Sequence, residues 1–418
     1  MKILHICTKD TGGAGKAALR LHHGLKSISV GSKMLVLHRS TSDSDVTALV
    51  RNNTIFNRVQ NNIRKRFIVA ELKAYDLSRG FYYTTNKSIY RISSHPLVQE
   101  ADIIHLHWIA GMVDYAEFFS AMKHKPIVWT LHDANPFTGG CHVPGACTRY
   151  ASGCGACPAL QSQNLNDLSR RIVERKKEAY QGQHISIVTP SRWMQNCAKK
   201  SLLLREHTIA VIPNGVPTNV FKKRDRIHSR KQFHLPQNAV TILFGADYRA
   251  TRKGFEHLVQ ALDMLVMQNG AENIMLVTFG PKQDLHTLPM VPHFPIRQLG
   301  YIVDEEVLAA LYASCDMTVI TSLWESFSLI CIESMACGTP VVGYRVGELP
   351  DVVIPHKTGL LTEMGNIQGL AEAIEYMVAH PQKRRDMGEK AREFVEQKYN
   401  IEIQARRYLQ IYETTMKA

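Results

Sequence analysis

The sequence predicts an α/β protein built from two doubly wound parallel-sheet domains. Three observations carry that expectation. The chain opens with an apolar strand, a glycine-rich turn and a helix, and the same order starts again at Thr241. Asp316–Val342 reads as strand, acidic loop, helix and strand, the unit from which parallel sheets are assembled. The 418 residues are also too many for one ordinary core. The first domain is expected over 1–215, with a Cys-rich insertion at 138–158. A polar linker with Pro217 and Pro236 follows over 216–240, then a second domain over 241–398 and a last helix over 399–418.

With 45% hydrophobic and 21% charged residues, the composition is that of a soluble globular protein. No apolar run approaches the roughly 20 residues that span a bilayer. Met1–Cys7 is too short for a signal-peptide core, so a cytoplasmic location is expected. The net charge is +13, and it is one-sided. Residues 1–220 hold 28 Lys and Arg against 14 Asp and Glu, whereas 221–418 hold 22 against 23. A basic first half implies an acidic partner, and no nucleic-acid motif accompanies it. Arg58 and Arg64-Lys65-Arg66 alternate with Val59, Ile63, Phe67 and Ile68. That pattern suits a helix lying on an anionic membrane surface, peripheral to it, or else a solvated helix.

Taken in order, Lys2–Thr8 is a buried-type strand, and Thr11–Gly15 opens a helix running to Leu25. Gly12, Gly13 and Gly15 let backbone approach a ligand and leave N–H groups free. Gly13-x-Gly15-x-x-Ala18 also fits a dinucleotide fingerprint, and Arg39, after the strand Lys33–Leu37, could take a 2′-phosphate. An NADP oxidoreductase is therefore one reading. Asp43-Ser-Asp45 has no apolar strand framing it and reads as a surface turn, with no catalytic metal inferred. His105 and His107 end one strand, and Leu131-His132-Asp133 ends the next. Both fall where an α/β sheet binds its ligands.

Cys141, Cys147, Cys154 and Cys157 then fall close together, with Gly140, Gly145, Gly153 and Gly155 supplying turns. In a cytosolic protein four such thiols suggest a closed, structural zinc site. Reduced packed thiols and disulfide chemistry are the other readings, and His142 could replace one ligand. Asn166–Gln181 reads as a basic amphipathic helix, Ile185–Thr189 as a strand, and Ser191 as an N-cap.

In the second half, Thr241–Ala246 is a strand, and a basic loop through Arg249, Arg252 and Lys253 opens a helix to Leu265. Cations at a helix N-terminus suit a diphosphate. Met275–Gly280 and Leu299–Ile302 are further strand segments, and Asp304–Ser314 is a helix. In the acidic unit, Phe327–Cys337 reads as a helix stopped by Gly338 and Pro340. Its tip, Phe327, Ser328, Leu329 and Ile330, would favour a phosphate. Glu325 precedes it and Glu333 lies about two turns in, so two carboxylates flank the anion seat and can accept from hydroxyls. A nucleotide sugar needs such a site. Residues 368–380, 383–398 and 401–416 read as helices.

Glu325–Glu333, with Ser-Met-Ala-Cys-Gly-Thr-Pro-Val-Val behind it, resembles the Glu-x7-Glu motif of retaining glycosyltransferases of family four. That resemblance implies the GT-B fold, two Rossmann-like domains facing each other across a cleft, with the last helix returning to the first. It assigns Glu325 to the donor sugar, Glu333 to the ribose, Lys253 and a neighbouring Arg to the diphosphate, and backbone near Tyr301 to the base. His132 would meet the sugar at the reacting centre, and the glycines at 12, 13 and 15 would border the cleft. Ser328 stands where the family usually has Gly, and Asp247 where it often has a basic residue. Trp129–Pro158 is similar to the colanic-acid-type exopolysaccharide subgroup, with Thr-Leu-His-Asp, Thr-Gly-x-Cys and Cys-x-x-Cys-Pro. The implied activity is transfer from a nucleotide-sugar donor to a glycan or polyprenyl-diphosphate-linked acceptor, without a catalytic metal. The rivals are the NADP enzyme and a noncatalytic sugar-binding partner of a polysaccharide assembly.

Overall fold

The computed structural model describes residues 1–49, 68, 70–77, 82–245, 251–269, 273–282 and 292–417. The segment Arg58–Phe67, expected on a membrane surface, and Arg249, a candidate diphosphate ligand, lie outside the described residues. The chain divides into two compact units, Met1–Asn214 with Glu402–Ala418, and Gly215–Ile401.

The first unit is a seven-stranded parallel sheet of β1 (Lys2–Lys9), β2 (Gly31–His38), β3 (Val46–Ala48), β4 (Ile103–Leu106), β5 (Ile127–Thr130), β6 (Ile185–Thr189) and β7 (Ile209–Val211). The order is β3-β2-β1-β4-β5-β6-β7. The strands are apolar nearly throughout, as expected where helices cover both faces. Connecting helices are α1 (Gly12–Ser27), α2 (Pro96–Glu100), α3 (Tyr115–Ala121), α4 (Leu168–Tyr180) and α5 (Arg192–Lys200). Ser191 caps α5 by accepting from the Met194 N–H at 3.1 Å. The C-terminal helix, Ile401–Lys417, puts Ala405, Tyr408 and Tyr412 into one core cluster with Ile3, Leu21, Ile103, Val128 and Val188.

The second unit is a six-stranded parallel sheet of β8 (Val240–Gly245), β9 (Ile274–Phe279), β10 (Ile296–Gln298), β11 (Met317–Ile320), β12 (Val341–Tyr344) and β13 (Gly359–Thr362), in the order β10-β9-β8-β11-β12-β13. Its helices are α6 (Arg226–Gln232), α7 (Phe255–Asn269), α8 (Glu305–Ser314), α9 (Leu329–Ala336), α10 (Leu349–Val352), α11 (Ile367–Ala379) and α12 (Pro381–Lys398).

Residues 216–240 are not a linker. They contain α6 and are built into the second unit. Val216 pairs with the chain at 399–401, donating to Tyr399 O at 2.8 Å and accepting from Ile401 N at 3.1 Å. The charge that suggested solvent is neutralised inside. Arg230 is 1% exposed and donates to Asp316 Oδ2 at 2.7 Å, Ser314 O at 3.0 Å and Gln237 O at 2.7 Å. Asp316 also accepts from Arg226, from Arg384 at 2.8 Å and from the Thr241 N–H at 2.8 Å. One carboxylate thereby ties α6, α12 and the first strand of the sheet together.

A second correction concerns α9. It starts at Leu329, two residues later than expected. Ser328 is its N-cap, with Oγ accepting from the Cys331 N–H at 3.4 Å, so the extended Ser328 backbone leaves Phe327 outside the helix.

Candidate active site

In the second sheet the strand order reverses between β8 and β11, which places a crevice at their carboxyl ends. Lys253 follows β8 in a 3-10 turn, Thr251–Lys253, and Glu325 follows β11. The two meet there: Lys253 Nζ donates to Glu325 Oε2 at 2.6 Å. Ser322 Oγ donates to the same oxygen at 3.2 Å. The loops are held tightly. Gly254 sits at φ +65°, and a Cβ there would come within 2.1 Å of Thr321 O. Thr321 Oγ1 donates to Lys253 O at 2.9 Å, and the Leu323 N–H donates to Arg252 O at 2.7 Å. The α9 N-terminus completes this edge, so a cation, an acid and a helix tip share it.

Glu333 lies inside α9, 2% exposed, and accepts from Tyr312 OH at 2.7 Å. Phe327 is also buried, its ring 6.3 Å from that of Tyr399. Tyr301 lies beyond β10 and is 74% exposed, the opposite of a packed residue. Arg252 is partly exposed.

The first sheet reverses its order between β1 and β4. The α1 tip follows β1. Gly12 is at φ +73°, a Cβ on Gly15 would stand 2.5 Å from Lys9 O, and the N-cap Thr11 makes no side-chain capping bond. Arg39 Nε donates to Thr41 O at 2.7 Å.

Behind His132 runs a row of buried imidazoles. His132 Nε2 and His107 Nδ1 are 2.9 Å apart, and His107 Nε2 and His5 Nδ1 are also 2.9 Å apart. His105 joins Tyr412 OH at 2.7 Å and Thr130 Oγ1 at 2.8 Å, and Thr130 reaches Tyr408 OH at 2.7 Å. The C-terminal helix thus braces this row. Burial lowers the pKa of His5, His105 and His107 well below the usual value, and that of His132 to about 4. Neutral imidazoles each carry one N–H, so the tautomer of His132 is coupled through His107 to that of His5.

Asp133 faces a different network. It accepts from Trp108 Nε1 at 2.7 Å and from the Asn135 N–H at 2.9 Å, and it pairs with His142 Nδ1. Burial works against its charge, but His142 and these donors hold its pKa below the usual value. His142 Nε2 is 2.8 Å from Thr84 Oγ1. Both its ring nitrogens are committed, so His142 is not placed to replace a zinc ligand.

Cys141, Cys147, Cys154 and Cys157 line one small cavity, and all four thiols are free. Gly140, Gly145, Gly153 and Gly155 all have positive φ, which lets the loop fold back on itself. The Gly139 N–H points at Cys154 Sγ at 3.3 Å. Among the described residues, the compact donor trios are His5–His105–His107 and His22–His23–Asp43, so a metal would have to draw the four sulfurs closer. The loop leans on the His132 segment. Asn135 Nδ2 donates to Gly140 O at 2.9 Å, and the buried Lys176 of α4 donates to Asn135 O and to Thr138 O, the latter at 3.1 Å. Lys176, read as part of a basic helix face, is therefore an internal anchor.

Residues 225–394 match the family model described as "Glycosyl transferases group 1". The matched residues lie within the second unit, which is similar to that family's domain. Among curated proteins, the chain is 29% identical over 205 residues to N-acetyl-alpha-D-glucosaminyl L-malate synthase of Bacillus anthracis, covering 49% of this chain and 53% of that one. It is 32% identical over 195 residues to D-inositol 3-phosphate glycosyltransferase of Arthrobacter sp. (strain FB24), covering 44% and 45%. The chain spans about half the length of these relatives. Among solved structures, sucrose-phosphate synthase from Thermosynechococcus elongatus aligns with a TM-score of 0.66 at 21% identity over 99% of both chains. HepE from Anabaena, solved with UDP, gives 0.66 at 17% identity over 99% of this chain and 100% of that one. The fold is accordingly of the GT-B class, with two Rossmann-like parallel sheets. Among the described residues no helix is long and apolar enough to cross a membrane.

Proposed function

We propose that this protein is a retaining glycosyltransferase. It moves a sugar from a nucleotide-sugar donor to a glycan or polyprenyl-diphosphate-linked acceptor in cell-surface polysaccharide synthesis. The observation that carries this is the Lys253–Glu325 pair, set at the switch point of the sheet that matches the transferase family. A switch-point crevice with a cation and a helix tip suits a diphosphate, and the adjacent acid suits sugar hydroxyls.

In this reading Lys253, with Arg249 or Arg252, takes up the charge of the departing nucleoside diphosphate, and the first turn of α9 adds its dipole. Glu325 orients the donor sugar and Glu333 the ribose; Tyr301 backbone meets the base. The glycines at 12, 13 and 15 present N–H groups, and His132 meets the donor sugar at the reacting centre. Retention follows from front-face attack, in which a donor phosphate oxygen helps remove the acceptor proton, so no protein nucleophile or catalytic metal is invoked. The basic first half favours an anionic acceptor at a membrane surface. The colanic-acid-type likeness rests on the Trp129–Pro158 motifs, and a structural zinc at the four thiols is supported by their shared cavity.

The test is calorimetry and donor hydrolysis with UDP, GDP, ADP and their hexose esters. One diphosphate should bind and one ester should be cleaved, and Glu333→Ala should weaken donor binding strongly. Indifference of the protein to all of them would remove the reading, and protection by NADP would favour the oxidoreductase.

A further inference from the structure

Glu348 follows β12 and is the residue from which α10 starts. It is 1% exposed. Its Oε1 accepts from the Ser328 N–H at the tip of α9, and its Oε2 is buried with no partner. Backbone geometry fixes the acid against the donor loop. Gly347 is at φ +59°, and a Cβ there would come within 2.0 Å of Glu325 O. The neighbouring ammonium, on Lys253, is engaged by Glu325.

A buried carboxyl with no cation of its own is held as the neutral acid. Burial first, then the charge of Glu325, keep Glu348 protonated well above the usual carboxylate range. Ser328 N–H claims Oε1 as an acceptor, so the proton resides on Oε2, which is then a donor with nothing to donate to. Unsatisfied buried groups of this kind call for an explanation, and a ligand group is one. A sugar hydroxyl fits, because it accepts one hydrogen bond while donating another to Glu325.

We propose that Glu348 reads a hydroxyl of the donor sugar, and that Glu325 and Glu348 together select an uncharged, hydroxyl-bearing hexose over a uronate. This rests on the donor site proposed above. Ser328 and Glu348 then act as a pair, the serine fixing the acid that the sugar meets. A hexuronate would bring a carboxylate, which has no proton to donate, against the Glu325 carboxylate that Lys253 pairs with, so repulsion from Glu325 excludes it.

The experiment compares affinities for the diphosphate that binds, its 6-hydroxyl hexose ester and its 6-carboxylate ester. Wild type should prefer the hydroxyl ester over the carboxylate by at least about tenfold, the scale of one charge-assisted hydrogen bond. Glu348→Ala should lose about tenfold for the hydroxyl ester and under about twofold for the diphosphate alone. Glu348→Gln keeps an acceptor for Ser328 and a donor at the Oε2 position, so it should recover most of the loss. An unchanged ester-to-diphosphate ratio in Glu348→Ala, an equal loss for both ligands, or a preference for the carboxylate ester would each overturn the inference. If none of UDP, GDP and ADP binds wild type, the donor site itself fails and this inference falls with it.

Discussion

Lys253 Nζ and Glu325 Oε2 stand 2.6 Å apart at the reversal point of the second sheet, with side chains only 20% and 10% exposed. A partly buried pair of this kind fixes both side chains while each keeps unused hydrogen-bonding capacity: two more ammonium protons and one more carboxylate oxygen. Replacing Lys253 by Met should weaken nucleoside-diphosphate binding about 10- to 100-fold, the loss of one charge-assisted contact. Glu325→Gln should leave that affinity intact or tighten it, because the lysine is released, while sugar transfer slows. Calorimetry with the free diphosphate separates the two. Equal affinity in wild type and Lys253→Met would reduce the pair to a structural bridge.

His132 should act as a neutral imidazole. Its pKa is lowered to about 4, so the neutral form prevails above that pH and is lost only as pH falls toward it. The acid limb of kcat should therefore lie well below pH 6.5, and a limb at 6.5 would contradict the assignment. His107→Leu removes the partner on His132 Nε2 and should lower kcat about tenfold to a hundredfold through misorientation, with donor KM little changed. Nitrogen-15 shifts of the His132 ring should report a changed tautomer mixture in that variant. An unaltered spectrum would show that His107 does not set it.

Much of this was open to sequence reading because strands and helices announce themselves locally. The helix expected at 383–398 is Pro381–Lys398, and the strand Ile185–Thr189 has the expected ends. Glu325 and Lys253 were legible as an acid before a helix and a cation before another. What sequence could not show is long-range compensation. Arg230 and Lys176 look like solvated charge, yet each is satisfied by backbone or carboxylate groups brought in by folding. Glu348 stands just past an apolar strand, but that its Oε2 is buried without a hydrogen-bond partner appears only in three dimensions. The paired histidines at 105 and 107 were visible, while His5, a hundred residues away, was not.

If the four thiols hold zinc, metal removal should be felt at His132. Cys154 Sγ meets the Gly139 N–H, the adjacent Gly140 O accepts from Asn135 Nδ2, and the Asn135 N–H donates to Asp133. Protein purified without chelator should carry near-stoichiometric zinc by elemental analysis. Cys147→Ser should lose it, lower the Tm by several degrees and reduce transfer more than donor binding. Metal-free protein with four freely alkylated thiols and full activity would leave the cluster as packed side chains only.

Asp316 should set the acid stability of the second unit. Burial opposes its ionisation, but Arg226 and Arg384 outweigh burial and hold its pKa below the ordinary value. A folded carboxylate with a depressed pKa binds fewer protons than the unfolded chain just below the unfolded pKa of about 4. Its stabilisation is therefore fully present above that pH and is lost as pH falls through the folded value. Asp316→Asn leaves Arg230 and Arg384 buried without a counter-charge and should cost about 3–5 kcal/mol near pH 7. Denaturant unfolding of both proteins across pH 7 to pH 3 checks this. The gap between them should narrow as pH falls, because wild type is losing what the variant never had. A gap that stays constant to pH 3 would mean the loss comes from packing and not from the ionised carboxylate.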